Sequence, residues 1–190
     1  MSSSLKGYTP GLGRLLGVSA AALYERQRAL VRGGLLEIEG GRGPGSGVRV
    51  TARALALLII SVLATDSLAE TASRTRKVAA ARPRGHERCP YTGMRTFRDA
   101  FDAALFSTGK AENIIEISVS RTAARAQIKY YDPAENHSEK TVEFATGQRV
   151  AEPEISVSAT IGGSLLKQLA RDVQAIVMEE VESADGHPAS

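Results

Sequence analysis

Tryptophan is absent from this 190-residue chain, aromatic residues make up only 5% of it, and Cys89 is its one cysteine. A lone cysteine excludes an internal disulfide, so stability has to come from apolar burial, for which a hydrophobic content of 43% is ordinary. Long hydrophobic runs are scarce too. The longest, residues 54–64, is apolar almost all round but about half the length of a membrane span, which predicts a buried core helix and no membrane partner. Met1-Ser2-Ser3-Ser4 leads into Leu5-Lys6-Gly7 without an apolar stretch of signal-peptide length, so a cytoplasmic location is expected.

Catalytic patterns are missing as well. Of the three histidines, His86 and His137 fall in apparent loops and His187 in the tail. No Gly-x-Ser-x-Gly, Walker loop, dinucleotide fingerprint or His-Glu-x-x-His occurs. His86 and Cys89 have the spacing of two metal ligands, but zinc wants three or four and no others are near. Glu179, Glu180 and Glu182 read as a solvated helix end. No catalytic residue, metal or cofactor is assigned, and an enzyme is not expected.

What is present is a division of charge. Residues 1–100 carry 16 lysines and arginines against 7 acidic residues, a balance of +9, while residues 101–190 carry 8 against 14, a balance of −6. Such a division is expected where the N-terminal part meets a polyanion and the C-terminal part does not; an uneven solvated surface is the alternative.

The basic half contains the most patterned stretch, residues 12–51. Leu12, Leu15 and Leu16 form an apolar stripe at helical spacing, and Gly17 ends that helix where a left-handed residue is tolerated. Ser19 is placed to cap a second helix with Val18, Ala22, Leu23, Leu30 and Val31 inward. That leaves Ser19, Ala20, Ala21, Tyr24, Glu25 and Arg28 outward. Gly33 and Gly34 stop the helix. Leu35-Leu36-Glu37-Ile38-Glu39 and Gly47-Val48-Arg49-Val50-Thr51 then alternate as two strands around a glycine-rich loop, 40–46.

The run 15–50 resembles winged helix-turn-helix repressors. The step from Gly17-Val18-Ser19 to Gly34-Leu35-Leu36, followed by Gly41-Arg42-Gly43, is similar to the GntR type. That resemblance implies a recognition helix over residues 20–31 and a wing tip at Arg42. GntR-type repressors carry a full helix before this motif, where about ten residues stand here. The layout, with Tyr8-Thr9-Pro10 almost directly before the motif and more helices after the wing, is similar to the MerR superfamily. MerR-type metal sensing finds no ligand set, because Cys89 stands alone.

Thr51 is placed to cap the apolar helix, which supplies the packing of the missing first helix. Asp66 or Ser67 caps a further helix over 68–81, where Glu70, Arg74, Arg76 and Lys77 face outward, the three cations as phosphate contacts or solvated charges. Residues 82–93 lack periodicity, carry two prolines and read as a linker, or as a basic arm on DNA. In the second half, Phe97, Phe101, Ala104 and Leu105 share one face of a helix over 94–106. Four strands follow, over 113–121, 124–131, 140–146 and 154–161. Their inward residues are Ile115, Ile117 and Val119; Ala126, Ile128 and Tyr130; Val142 and Phe144; and Ile155, Val157, Ala159 and Ile161. Gly162-Gly163-Ser164 opens the last helix, as a capped turn or a phosphate-holding one, with Leu165, Leu166, Leu169, Val173, Ile176, Val177 and Val181 in one stripe.

The expected architecture is α+β: an N-terminal winged helix-turn-helix with extra helices (1–81), a linker (82–93), an antiparallel sheet with flanking helices for dimerisation or sensing (94–182), and a flexible tail (183–190). The expected function is a DNA-binding transcriptional regulator of a bacterium or its phage, acting on double-stranded DNA as a homodimer. Its contacts are Ser19, Ala20, Ala21, Tyr24, Arg28, Arg32, Arg42 and Arg49. The other class that fits is a protein-interaction or assembly module using the same fold without DNA.

Overall fold

Ser4 and Ser19 start the first two helices by the same means. The Ser4 Oγ accepts from the Gly7 amide at 3.1 Å and opens α1, Leu5–Leu16; the Ser19 Oγ accepts from the Ala22 amide at 3.2 Å and opens α2, Ala20–Arg32. The computed structural model describes residues 4–38, 47–147 and 156–185, with side chains as far as Met178.

α1 begins earlier than the sequence suggests, and Pro10 lies inside it. An interior proline deprives the carbonyl four residues back of its partner. Here the Thr9 hydroxyl donates to that Lys6 carbonyl at 2.8 Å, so the oxygen is not orphaned. Gly17 is left-handed (φ 66°), and the Val18 amide returns to the Gly13 carbonyl at 2.9 Å. The turn is tight enough that a Cβ on Gly13 would sit 2.5 Å from the Val18 oxygen.

Residues 35–38, expected as the first strand of a wing, form no strand. The amides of Leu35 and Leu36 fold back to the Leu30 carbonyl, so the chain is still closing the end of α2 there. Glu39 and the loop 40–46, Arg42 included, lie outside the described residues. Val48 and Val50 are buried as their alternation predicts. The Leu5 amide donates to the Val48 carbonyl at 2.7 Å, and Ser4 bridges Arg49 in antiparallel fashion.

Thr51 caps α3, Ala52–Ala64, accepting from the Ala54 amide at 3.0 Å. Nearly every residue of α3 is buried. It packs against α2, against α4 (Thr71–Ala79) and α5 (Phe97–Phe106), and against strands of the sheet. α4 is shorter than 68–81 because Ser67 is spent in a turn: its amide donates to the Thr65 hydroxyl and its carbonyl accepts from the Thr71 hydroxyl. Arg82–Pro83 is a short strand, β1, and Cys89 is buried, with its sulfur accepting from the Thr92 amide. Thr96 caps α5, which buries Phe97, Phe101, Ala104 and Leu105 as expected. A short helix that the sequence did not suggest, α6 (Thr108–Asn113), follows from a cap at Ser107.

The sheet has five antiparallel strands, one more than expected, in the order β1-β4-β3-β2-β5. β2 is Ile114–Ser120, β3 Arg125–Asp132, β4 Ser138–Ala145 and β5 Ser158–Gly162. Ile117 pairs with Ile128 and Ile161, and Ala126 with Phe144. These residues line the inner face with Val119, Tyr130 and Val142. The register of β2 shifts between Ile114 and Glu116, so Ile114 is buried in place of the expected Ile115. Of the residues expected to face inward from the last strand, only Ile161 is fully inside; Ala159 is half-buried, Val157 precedes β5 and is exposed, and Ile155 lies outside the described residues. The last helix, α7, spans Gly163–Asp185, past the expected end at 182. A Cβ on Gly163 would lie 2.0 Å from the Ile114 oxygen, so a glycine is required where α7 leaves the sheet. Leu166, Leu169 and Val173 join the apolar cluster that also holds α3, α5 and the inner sheet face, whereas Val177 is exposed.

Candidate nucleic-acid interface

α2 is fixed from behind by Leu23 and Leu30, both fully buried, and by Arg26, which is 6% exposed. The last four carbonyls of a helix have no partner within it and carry negative partial charge. Arg26 meets that need for α3: its Nη1 donates to the Ser61 carbonyl at 2.6 Å. Arg121, just after β2, donates to the Leu63 carbonyl at 3.3 Å and pairs with Asp66. Burial holds the Arg26 guanidinium below its usual pKa range; the Asp66 carboxylate opposes that shift and the Arg121 charge adds to it. Arg76 donates to the Gly33 carbonyl at the end of α2, and Arg74 to the Arg121 carbonyl. These two α4 arginines, read from sequence as phosphate contacts or solvated charges, hold backbone of the protein itself. Lys77 is exposed.

The outward side of α2 carries the expected residues. Ser19, Ala21, Arg28 and Arg32 are exposed, and Ala20 and Tyr24 are half-buried. The acceptor side of the Ser19 hydroxyl is occupied by its cap bond. Arg28 pairs with Glu25 at 3.1 Å, but both side chains are about half exposed, so the pair is weakly held and Arg28 is available to a stronger anion. Arg49 is half-buried at the bridge to Ser4.

Tyr24, Arg28 and Arg32 come together along a groove of about 400 Å³, whose other walls include Gln27, Val31, Ile38 and Val48. Ser19, Ala20, Ala21 and Arg49 do not line it. Sequence reasoning missed Lys6, whose Nζ stands 5.2 Å from the centre of the Tyr24 ring and adds a cation to the same wall. The signal was Ser4, which caps a helix beginning at Leu5. It also missed Gln27, whose buried Oε1 has no hydrogen-bond partner among the described residues.

Among the described residues no group of three or more histidines, cysteines or carboxylates is placed to hold a metal ion, and no helix is long and apolar enough to cross a membrane. Comparison with family models, with curated proteins and with solved structures finds no match to this chain.

Proposed function

We propose that the protein binds double-stranded DNA as a homodimer and regulates transcription, with α2 as the helix that enters the major groove. The observation that carries this reading is the exposed face of α2, small at its N-terminal end (Ser19, Ala20, Ala21) and cationic one turn apart at Arg28 and Arg32. Small residues let a helix backbone approach base edges, and arginines suit both phosphate and guanine. The short turn at Gly17-Val18-Ser19 and the positive balance of residues 1–100 support the same reading. Arg42 and Arg49, in the basic segment that follows α2, are assigned from the sequence alone as further DNA contacts.

The reading is tested by fluorescence anisotropy with duplex DNA of mixed sequence at two salt concentrations. Arg28→Ala and Arg32→Ala are each expected to weaken binding and to reduce the salt dependence by about one phosphate contact. Affinity unchanged at both salt levels in both variants would remove α2 from the interface. A protein-interaction module is the second reading, favoured by the aliphatic lining of the groove at Val31, Ile38 and Val48. It is preferred if the unaltered protein fails to bind duplex DNA even at low salt.

A further inference from the structure

β1 covers only part of the edge of β4. The Arg84 amide donates to the Glu143 carbonyl at 2.7 Å, and the chain then turns away at Gly85, which is left-handed at φ 74°. Backbone groups alternate in direction along an antiparallel strand. Because Glu143 faces β1, Thr141 and Glu139 turn their amides and carbonyls to the same side, past the point where β1 ends. Both residues are exposed, and among the described residues no backbone hydrogen bond reaches either of them from that side. Two donors and two acceptors are thus set out in pairs about 6.8 Å apart, at about 3.4 Å per residue. Another extended chain matches that spacing.

A cavity of about 520 Å³ opens beside this edge and reaches it at Thr141. Lys140 and Val142 line it, as do Tyr91 and Tyr130. The two tyrosine rings stack with centroids 4.2 Å apart, and the Tyr91 hydroxyl donates to the Lys110 carbonyl, which fixes the wall they make. The Lys140 ammonium is held by Asp132 at 2.9 Å and Glu135 at 2.5 Å, so its charge is met within the hairpin.

We infer that the open part of β4 binds an extended segment of another protein, antiparallel and uncharged where it lies along the strand, with one aromatic side chain opposite Lys140 and over the cavity. A strand added there bonds through the residues opposite Glu139 and Thr141. The residue between them points to the face that carries Lys140, Val142 and Tyr130, where an aromatic ring meets the tyrosine wall. A second copy of this chain is the poorer fit. Twofold pairing of two β4 edges can be centred on Glu139, Lys140 or Thr141, and these registers set Glu139 against Glu139, Lys140 against Lys140, or Glu139 against Glu143. Like charges directly opposed destabilise a sheet. The inference does not rest on the DNA-binding reading, which uses α2.

The test titrates the full chain into the peptide fluorescein-Thr-Val-Thr-Phe-Thr-Val-Thr-amide, followed by anisotropy, and maps the contact by amide shifts in nitrogen-15-labelled protein. Saturable binding is expected, with the largest shifts at Glu139, Lys140 and Thr141. N-methylation of the two threonines that flank the phenylalanine removes the donors facing the edge and should weaken binding by about tenfold or more. N-methylation of the phenylalanine, whose amide points away, should change little. Replacing that phenylalanine by alanine should also cost about tenfold. Thr141→Pro deletes one donor of the edge and should weaken binding severalfold, with unchanged thermal melting as the control for folding. No saturation at millimolar concentrations, shifts confined to other residues, or equal affinity for the peptide methylated at its threonines overturns the proposal, and indifference to the alanine peptide overturns the aromatic position. A dimer in sedimentation equilibrium that Thr141→Pro abolishes would give the edge to a second copy and overturn it as well.

Discussion

In the helical part, α1 to α4, Arg26, Arg74 and Arg76 donate to backbone carbonyls, whereas in and beside the sheet Lys129, Lys140 and Arg84 pair with carboxylates. Arg26 and Arg76 close helix ends in the first region. In the second, Lys129 pairs with Glu139 at 2.7 Å, Lys140 with Asp132 at 2.9 Å, and Arg84 with Glu143 at 3.1 Å, across or beside neighbouring strands. The difference follows from backbone chemistry. A helix leaves carbonyls unpaired at its end, and a buried one must be met by a donor; an inner strand has spent its carbonyls on the ladder, so its charged side chains turn to each other. Cations in the two regions thus serve different ends, and a count of arginines overstates those that can reach a polyanion.

The comparison breaks most severely at α3, which both regions share. Leu58 is fully buried, so Leu58→Ala is expected to cost roughly 2–5 kcal/mol. Because α3 touches helices and strands alike, melting followed in the far and near ultraviolet should fall together in one transition; two separate transitions would show that the regions do not share a core. Next comes the contrast of charges itself. Arg26→Ala removes a charged hydrogen bond and exposes the end of α3, for about 1.5–3 kcal/mol in urea unfolding, while Lys129→Ala on the sheet should leave the unfolding midpoint where it was. Equal effects would erase the distinction.

The smallest expected effect concerns Asp99. Burial pushes its carboxyl upward, but hydrogen bonds from Thr96 and Arg98 outweigh that and, with the charges of Arg98 and Arg53, hold its pKa below the usual range. A carboxyl with a lowered folded pKa stabilises the fold above its unfolded pKa, about 3.9, and that contribution is lost as pH falls through the folded value. Asp99→Asn should therefore lower the melting temperature at neutral pH, and the gap to the unaltered protein should close as the solution is acidified below about pH 4. A gap that persists at low pH would point to packing in place of charge.

Much of this architecture is legible from local chemistry. Thr51 before an apolar run, Ser19 before three alanines, and phenylalanines four residues apart at 97 and 101 each find their expected place, because a cap or a repeated spacing is complete within a few residues. What escaped depends on partners far along the chain. Pro10 looks like a boundary until Thr9 is seen to satisfy Lys6, and alternation cannot show that a bulge puts Ile114 where Ile115 belongs. The candidate interface divides likewise. Tyr24, Arg28 and Arg32 share a helix face and were found by spacing, while Lys6 joins them only because residues 4 and 5 pair with 48 and 49.

Pro83 has a consequence for life at high concentration. An outer strand with free amides invites the strand of another molecule, and stacking of that kind leads to aggregates. β1 is only Arg82–Pro83, and the proline has no N–H to offer. Beside Phe144 and Ala145 the sheet therefore gives a newcomer little to grip, and strand addition is discouraged at that end of the flank without a bulky cover or a dense array of lysines.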